Sequence, residues 1–457
     1  MNKKIIVAVC AVAVLSVASI FASGEKEVTA SFTIEDAKKN PGGELVITPQ
    51  EIGYKNAEIE LTWQPCPPHS MSSTQVARQD DIKAKAKAFV EKYPNVRIIP
   101  VGTTSSVNDS MTKLQVTVVQ GAAPDLCAID SFMMPQFKEY IQPLTKYVDA
   151  AGIDVNDFFP YIQEQVVNED GDVIALWYTT DVRGMFYRKD LIPTPSKTMV
   201  ELYATAEDMK AQGLTGLIYC GGRDEATTNN SWSLLWSQSA KLVNEDGTIA
   251  FGSGDDYDAM LKYLTFFQDT IDKGITPKTV LSYKNEPAMY GDIQADKVAM
   301  FIGGNWAMKA LRENMGEDNF NAKWGFAAIP TFEANQTPTS SAGGWTNVVF
   351  TEDPLKQQLA AELAIMMYSS DAAMESWCEV GGYLPTRKSA YNQYEYLQTD
   401  PLSPICLELL NQASTRPSVE NYTNISTETQ VAIGNILTGS STPEEALESL
   451  INNLKEY

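Results

Sequence analysis

The sequence predicts an α/β fold built on mostly parallel sheets flanked by helices. Three observations lead there. The chain has 457 residues, more than one compact unit ordinarily holds, so two or more units are expected. It is 44% hydrophobic and 20% charged, the balance of a folded globular protein. Beyond residue 56, short alternating or apolar runs are separated by amphipathic stretches. That strand–helix–strand order requires a parallel sheet covered on both faces.

The first residues read as an export signal. Lys3 and Lys4 precede an apolar run from Ile5 to Phe21, interrupted only by Ser16 and Ser19. Ala22-Ser23-Gly24 then supplies the small residues a signal peptidase reads, which places cleavage before Glu25. The competing reading is an uncleaved membrane anchor, because the run approaches spanning length. No later segment is apolar enough to cross a bilayer. Cys10 lies inside the run and no cysteine stands at the cleavage point, so no lipid anchor is evident and a soluble periplasmic protein is expected. The formal net charge of −23 repels phosphates and anionic headgroups, which argues against nucleic acid as a partner.

Residues 25–56 read as a polar leader. Regular structure is expected from Ala57, where Ala57 to Trp63 alternates as a strand does, followed by a Pro65-Cys66-Pro67-Pro68 loop. Ile82, Ala86, Phe89, Val90 and Tyr93 then share one helical face, and Pro94-Asn95 stops that helix before a strand from Val96 to Val101. Met111, Leu114, Val118 and Val119 fit a second helix ending at Gly121, and Asp125 to Ile129 reads as a buried strand ending on Asp130. Lys83, Lys85 and Lys87 read as a solvated face, and Met133 and Met134 as packing. Near the C-terminus Gly439 can end one helix. Thr442-Pro443-Glu444-Glu445 opens another with a capping box and a proline at its first position.

Ligands of open parallel sheets bind at the carboxyl ends of strands. Trp63-Gln64 and Asp130 stand at such ends. Further along, indoles sit among glycines and polar groups: Trp177 to Asp181, Asn229 to Trp236, Gly303-Gly304-Asn305-Trp306, Gly343-Gly344-Trp345-Thr346-Asn347 and Gly381-Gly382-Tyr383. Sugar binding asks for this mix. A pyranose has a face of C–H bonds that stacks on an indole, and a rim of hydroxyls that needs paired donors and acceptors. Read alone, each tryptophan is more often core than ligand contact.

Catalytic patterns are missing. The one histidine, His69, lies in a proline-rich loop; there is no GxSxG, no phosphate-binding GK[ST] loop and no metal or cofactor motif. The five cysteines beyond Cys10 are odd in number, widely spaced and form no CxxC, so neither a disulfide framework nor a zinc site is indicated. A pair of carboxylates, all that a glycoside hydrolase needs, stays open among 58 acidic residues.

The order of these motifs, from about residue 57 to 457, resembles the family 1 extracellular solute-binding proteins of ABC transporters, the maltose-binding-protein class. The resemblance is carried by Lys113-Leu114 through Gly121-Ala122-Ala123-Pro124-Asp125-Leu126, by Gly171 to Asp181 and by Met185-Phe186-Tyr187-Arg188-Lys189-Asp190-Leu191. It continues in Asp296-Lys297-Val298-Ala299-Met300 to Asn305-Trp306, in Gly382-Tyr383-Leu384-Pro385-Thr386-Arg387 and in Gly439 to Leu447. Arg188 replaces the family's usual Asn, and the Trp63 to Pro68 loop departs from its glycine-rich form.

The resemblance implies a two-lobe periplasmic-binding-protein fold (type II) with three hinge crossings, near Asp181–Gly184, Ala328–Phe332 and Tyr368–Asp371. An N-terminal lobe of 57–181 plus 332–369 and a C-terminal lobe of 185–329 plus 370–457 follow. It also implies that no reaction is catalysed. A mono- or oligosaccharide is trapped by hinge closure without cofactor or metal, and a monomer presents it to the transmembrane subunits of an ABC permease. Trp306 takes the position of the family's stacking tryptophan and Asp130 that of its polar residue after the Pro-Asp strand. Gln64, Asp181, Trp232, Trp345, Tyr383 and Arg416 complete the expected ligand contacts. The rival readings are an exported binder of a polyamine or phosphodiester, and a secreted glycoside hydrolase.

Overall fold

The computed structural model describes residues 32–102 and 107–455. The expected export signal, residues 1–24, lies outside them. The first sheet opens with β1 (Leu45–Ile47), β2 (Ile52–Tyr54), β3 (Ile59–Gln64), β4 (Val96–Pro100) and β5 (Leu126–Asp130). β3 lies between β4 and β5, parallel to both, while β2 joins β4 antiparallel and carries β1 at the edge.

Part of the expected polar leader is folded: a helix with a capping box spans Ile34–Ala37, Ala37 and Ile52 are fully buried, and β2 pairs into the sheet. Three-residue strands are too short for alternation to show in sequence.

The helix Val76–Lys92 buries Ile82, Ala86, Phe89 and Val90, as its periodicity requires. Within it Lys85 departs from the expected solvated face, because its ammonium lies 2.6 Å from Asp81 and is largely enclosed. The helix Val107–Val119 buries Met111, Leu114 and Val118, but its last residue, Val119, is 71% exposed.

β6 (Leu176–Arg188) is a single strand of 13 residues that serves two sheets. Its second half pairs antiparallel with β8 (Val298–Gly304) and β9 (Trp324–Ala327), and β7 (Thr215–Ile218) lies parallel to β8. Its first half pairs antiparallel with β10 (Ser340–Val349), which lies between β5 and β6. β11 (Ala413–Thr415) runs parallel beside the start of β10. The sheets are therefore mixed rather than mostly parallel. β10 runs against its neighbours β5 and β6, and β6 runs against β8 and β9.

β6 changes partners between Val182, opposite Ala342, and Arg183, opposite Gly304, which is where the first crossing was expected. The second falls later than expected. Thr331 still bridges Thr198 in the second lobe, and β10 starts at Ser340.

The third crossing needs a larger correction. Helix Asp371–Gly381 packs on Val76–Lys92, with Ser376 donating to Asp81 at 2.8 Å and Lys85 to the Ala373 carbonyl at 2.9 Å. Leu384 bridges Thr180 and Arg387 bridges Phe158. Residues 370–389 thus sit with the first lobe, and the chain reaches the second where Asp400 pairs with Arg312. The packing face of that helix, Met374, Trp377 and Cys378, has the same periodicity whichever lobe it meets.

The C-terminal helix Pro443–Leu454 has its capping box, and Gly439 closes the preceding helix at φ 82°. All five described cysteines are free and buried.

Candidate functional site

Strand register sets the site. Asp130 at the end of β5 lies opposite Trp345, Trp345 opposite Thr179, Gly343 opposite Asp181, and Arg183 opposite Gly304. Side chains alternate along a strand, so Trp345 and Gly343 share a face with Asp130, Asp181 and Arg183. That face runs unbroken across the lobe junction.

A buried polar network covers it. Arg416, directly after β11, donates to Asp130 Oδ1 at 2.6 Å and to Glu225 Oε1 at 3.2 Å. Tyr422 and Ser426 each donate to Glu225 at 2.6 Å. Arg183 pairs with Asp181, and Asn230 links Arg183 to Glu286, donating to the latter at 2.8 Å. Burial pushes the Asp130 carboxyl up, opposed by the charge of Arg416. Burial likewise raises Glu286. The network holds these groups at fixed positions, with Arg416 Nε buried without a partner.

Trp306 forms the next layer. The Arg183 guanidinium lies 4.8 Å from its ring centroid. The ring folds back over Gly304, where a Cβ would come within 2.1 Å of it, so only glycine permits this placement.

In front of Trp306 lies a cleft of 600 Å³ between the lobes. The first lobe supplies Trp63, the 65–75 loop, Arg78 and Tyr383; the second supplies Tyr290 and Trp306. Behind the loop, His69 is 1% exposed, with Nδ1 2.8 Å from the Tyr178 hydroxyl and Nε2 2.7 Å from that of Tyr383. Burial, and then the charge of Arg78, holds its pKa well below the usual histidine value. A neutral imidazole between two phenols pins Tyr383 at the cleft wall.

The expected contacts divide. Asp130, Asp181, Arg416 and Trp345 come together on the junction face, and Trp306 and Tyr383 line the cleft beside it. Gln64 is 5% exposed at the end of β3, and its neighbour Trp63 lines the cleft instead. Trp232 is corrected: it is fully buried, stacked on Tyr263 at 5.3 Å and donating to Tyr422 at 3.0 Å, so it belongs to the core. The sequence reading missed Arg78, Arg183, Glu225, Glu286 and Tyr290. Arg183 was reachable, since it stands two residues beyond Asp181 on the same strand face.

The description of the bacterial extracellular solute-binding protein family matches residues 84–404. The chain belongs to this family. An ABC transporter extracellular-binding protein of Pyrococcus horikoshii is 24% identical over 411 residues, covering 84% of this chain and 81% of its own. The maltodextrin-binding protein of Bacillus subtilis is 22% identical over 301 residues, 64% of this chain and 68% of its own. Among solved structures, maltose-bound MalE3 of T. maritima superposes with TM-score 0.74 at 22% identity, covering 87% of this chain and all of that one. A solute-binding protein of Thermotoga lettingae bound with α-D-tagatose gives 0.71 at 25%, covering 87% and 99%. These likenesses establish the two-lobe fold of the solute-binding family. Among the described residues no helix is long and apolar enough to cross a membrane.

Proposed function

We propose that this solute-binding protein is the extracytoplasmic receptor of an ABC importer, and that its cleft takes a mono- or oligosaccharide by hinge closure. The observation that carries the reading is Trp306. Its indole stands on the cleft wall beside the Arg183–Asp181 pair, with the Asp130–Arg416 pair on the adjoining face. A sugar ring stacks on the indole within the cleft, and its hydroxyls meet the polar residues that line it, while the charged pairs back the indole from behind. The ligands named for relatives, maltose, maltodextrin and tagatose, support a carbohydrate.

In this mechanism no bond is made or broken. β6 and β10 carry the crossings, and ligand shifts the population of open and closed forms toward the closed one. The closed monomer is then engaged by the transmembrane permease subunits.

A thermal-shift panel of saccharides, polyamines and phosphodiesters tests the reading. Ligand at 100 times its Kd stabilises by about 2.7 kcal/mol. A saccharide should shift the melt in the wild-type protein and not in Trp306→Ala. A shift by a polyamine or phosphodiester alone would reject the carbohydrate. Release of reducing sugar from a polysaccharide would make the protein a hydrolase instead.

A further inference from the structure

The chain carries 58 acidic residues against 35 Lys and Arg, yet no Asp or Glu stands among the described residues lining the cleft. The charged residue that does line it is Arg78, and Arg78 is only 7% exposed. Among the described residues it has no ion pair. Its Nη2 donates to the Gly381 carbonyl at 2.6 Å, its guanidinium lies 4.9 Å from the Tyr383 ring centroid, and its Nε is buried without a partner. Arginine stays protonated, so it cannot relieve burial by losing charge; it needs an anion.

Two further features of the same wall favour an anion. Trp63 is 1% exposed, and its buried indole N–H has no partner. The 17-residue helix Val76–Lys92, which carries Arg78, begins at the cleft with no side-chain cap and no acidic residue in its first turn. Its unshielded N-terminal dipole end attracts negative charge. The carboxylates of the deeper network do not compete there. Asp130, Asp181, Glu225 and Glu286 are engaged by Arg416, Arg183 and Asn230, and none lines the cleft.

We propose that the ligand is an acidic sugar, a hexuronic acid or an oligosaccharide containing one, whose carboxylate is bound by Arg78 and the first turn of its helix. The inference rests on the carbohydrate reading above and deepens it. The planar guanidinium matches a carboxylate, and its Nε, buried without a partner, leaves it a donor to spend on one.

Calorimetric titration of the purified protein tests it with galacturonate, glucuronate and their dimers, the matching neutral sugars, and glucose 6-phosphate. An acid should bind at least about 10-fold more tightly than its neutral counterpart, a preference that falls with added salt. Arg78→Met should abolish the preference for the acid, and Arg78→Lys should retain part of it. The wild-type comparison stands even if a variant does not fold. Equal affinity for acid and neutral sugar would overturn the anion subsite and leave the carbohydrate reading intact. Tighter binding of the sugar phosphate would overturn the assignment to a carboxylate. Failure of every sugar to bind would overturn both readings.

Discussion

Replacing Arg416 with methionine isolates the energetics of the lobe junction. The Arg416 side chain is 3% exposed and holds two carboxylates, Asp130 and Glu225, whose side chains are each 12% exposed. Methionine keeps most of the packing against Phe132, which lies 4.3 Å from the guanidinium carbon, and removes only the charge and the donors. Glu225 retains Tyr422 and Ser426, whereas Asp130 keeps no other hydrogen bond among the described residues. Breaking a buried pair in this way costs about 3–5 kcal/mol.

The loss carries a pH signature. The Asp130 carboxyl already titrates above its ordinary value because burial disfavours its charged form. Without Arg416 it rises further, so the folded variant binds a proton that the unfolded chain releases. The penalty is absent below the unfolded pKa and grows as pH rises through the folded one. Urea unfolding followed by tryptophan fluorescence should therefore show a larger deficit at about pH 8 than at about pH 5, and adding Asp130→Asn should recover part of it. A deficit below about 1 kcal/mol, equal at both pH values, would refute the claim that Arg416 compensates buried charge.

Three further outcomes follow from the geometry. His69 has a folded pKa below its unfolded value, so wild-type stability should fall by up to about 1.4 kcal/mol per unit as pH drops below about 6.5, and unfolding of His69→Gln should lack that component. Gly344→Ala should destabilise by about 1–3 kcal/mol in denaturant titration, because φ is +149° and the new Cβ would lie 1.9 Å from the Thr179 carbonyl oxygen. Trp232→Ala should cost about 3–5 kcal/mol of stability as a core cavity, while calorimetry shows unchanged ligand affinity in the folded fraction.

Much of the fold was legible where periodicity is long. Ile82, Ala86, Phe89 and Val90 mark their helix face outright, and the Thr442 capping box marks the start of the last helix. Boundaries set by tertiary pairing were not legible. Nothing local says that Leu176 to Arg188 is one strand shared by two sheets, or that residues 371–381 pack on the first lobe.

At the site, Asp130 was readable because it ends a strand, and Trp306 because it stands two residues past the end of one, after a Gly-Gly-Asn turn. Trp232 looked equivalent, but its short helix turns it into the core against Tyr263. Arg78 was invisible in a helix otherwise rich in lysine; only its burial without a carboxylate distinguishes it.

The central claim, a saccharide held between the lobes, is tested most directly by a crystal structure of the protein with the sugar that shifts its melt. The expected result is a sugar ring stacked on Trp306, with its polar groups bound by residues that line the cleft, Arg78 among them. A ligand bound elsewhere, or a cleft closed without one under saturating sugar, would contradict it.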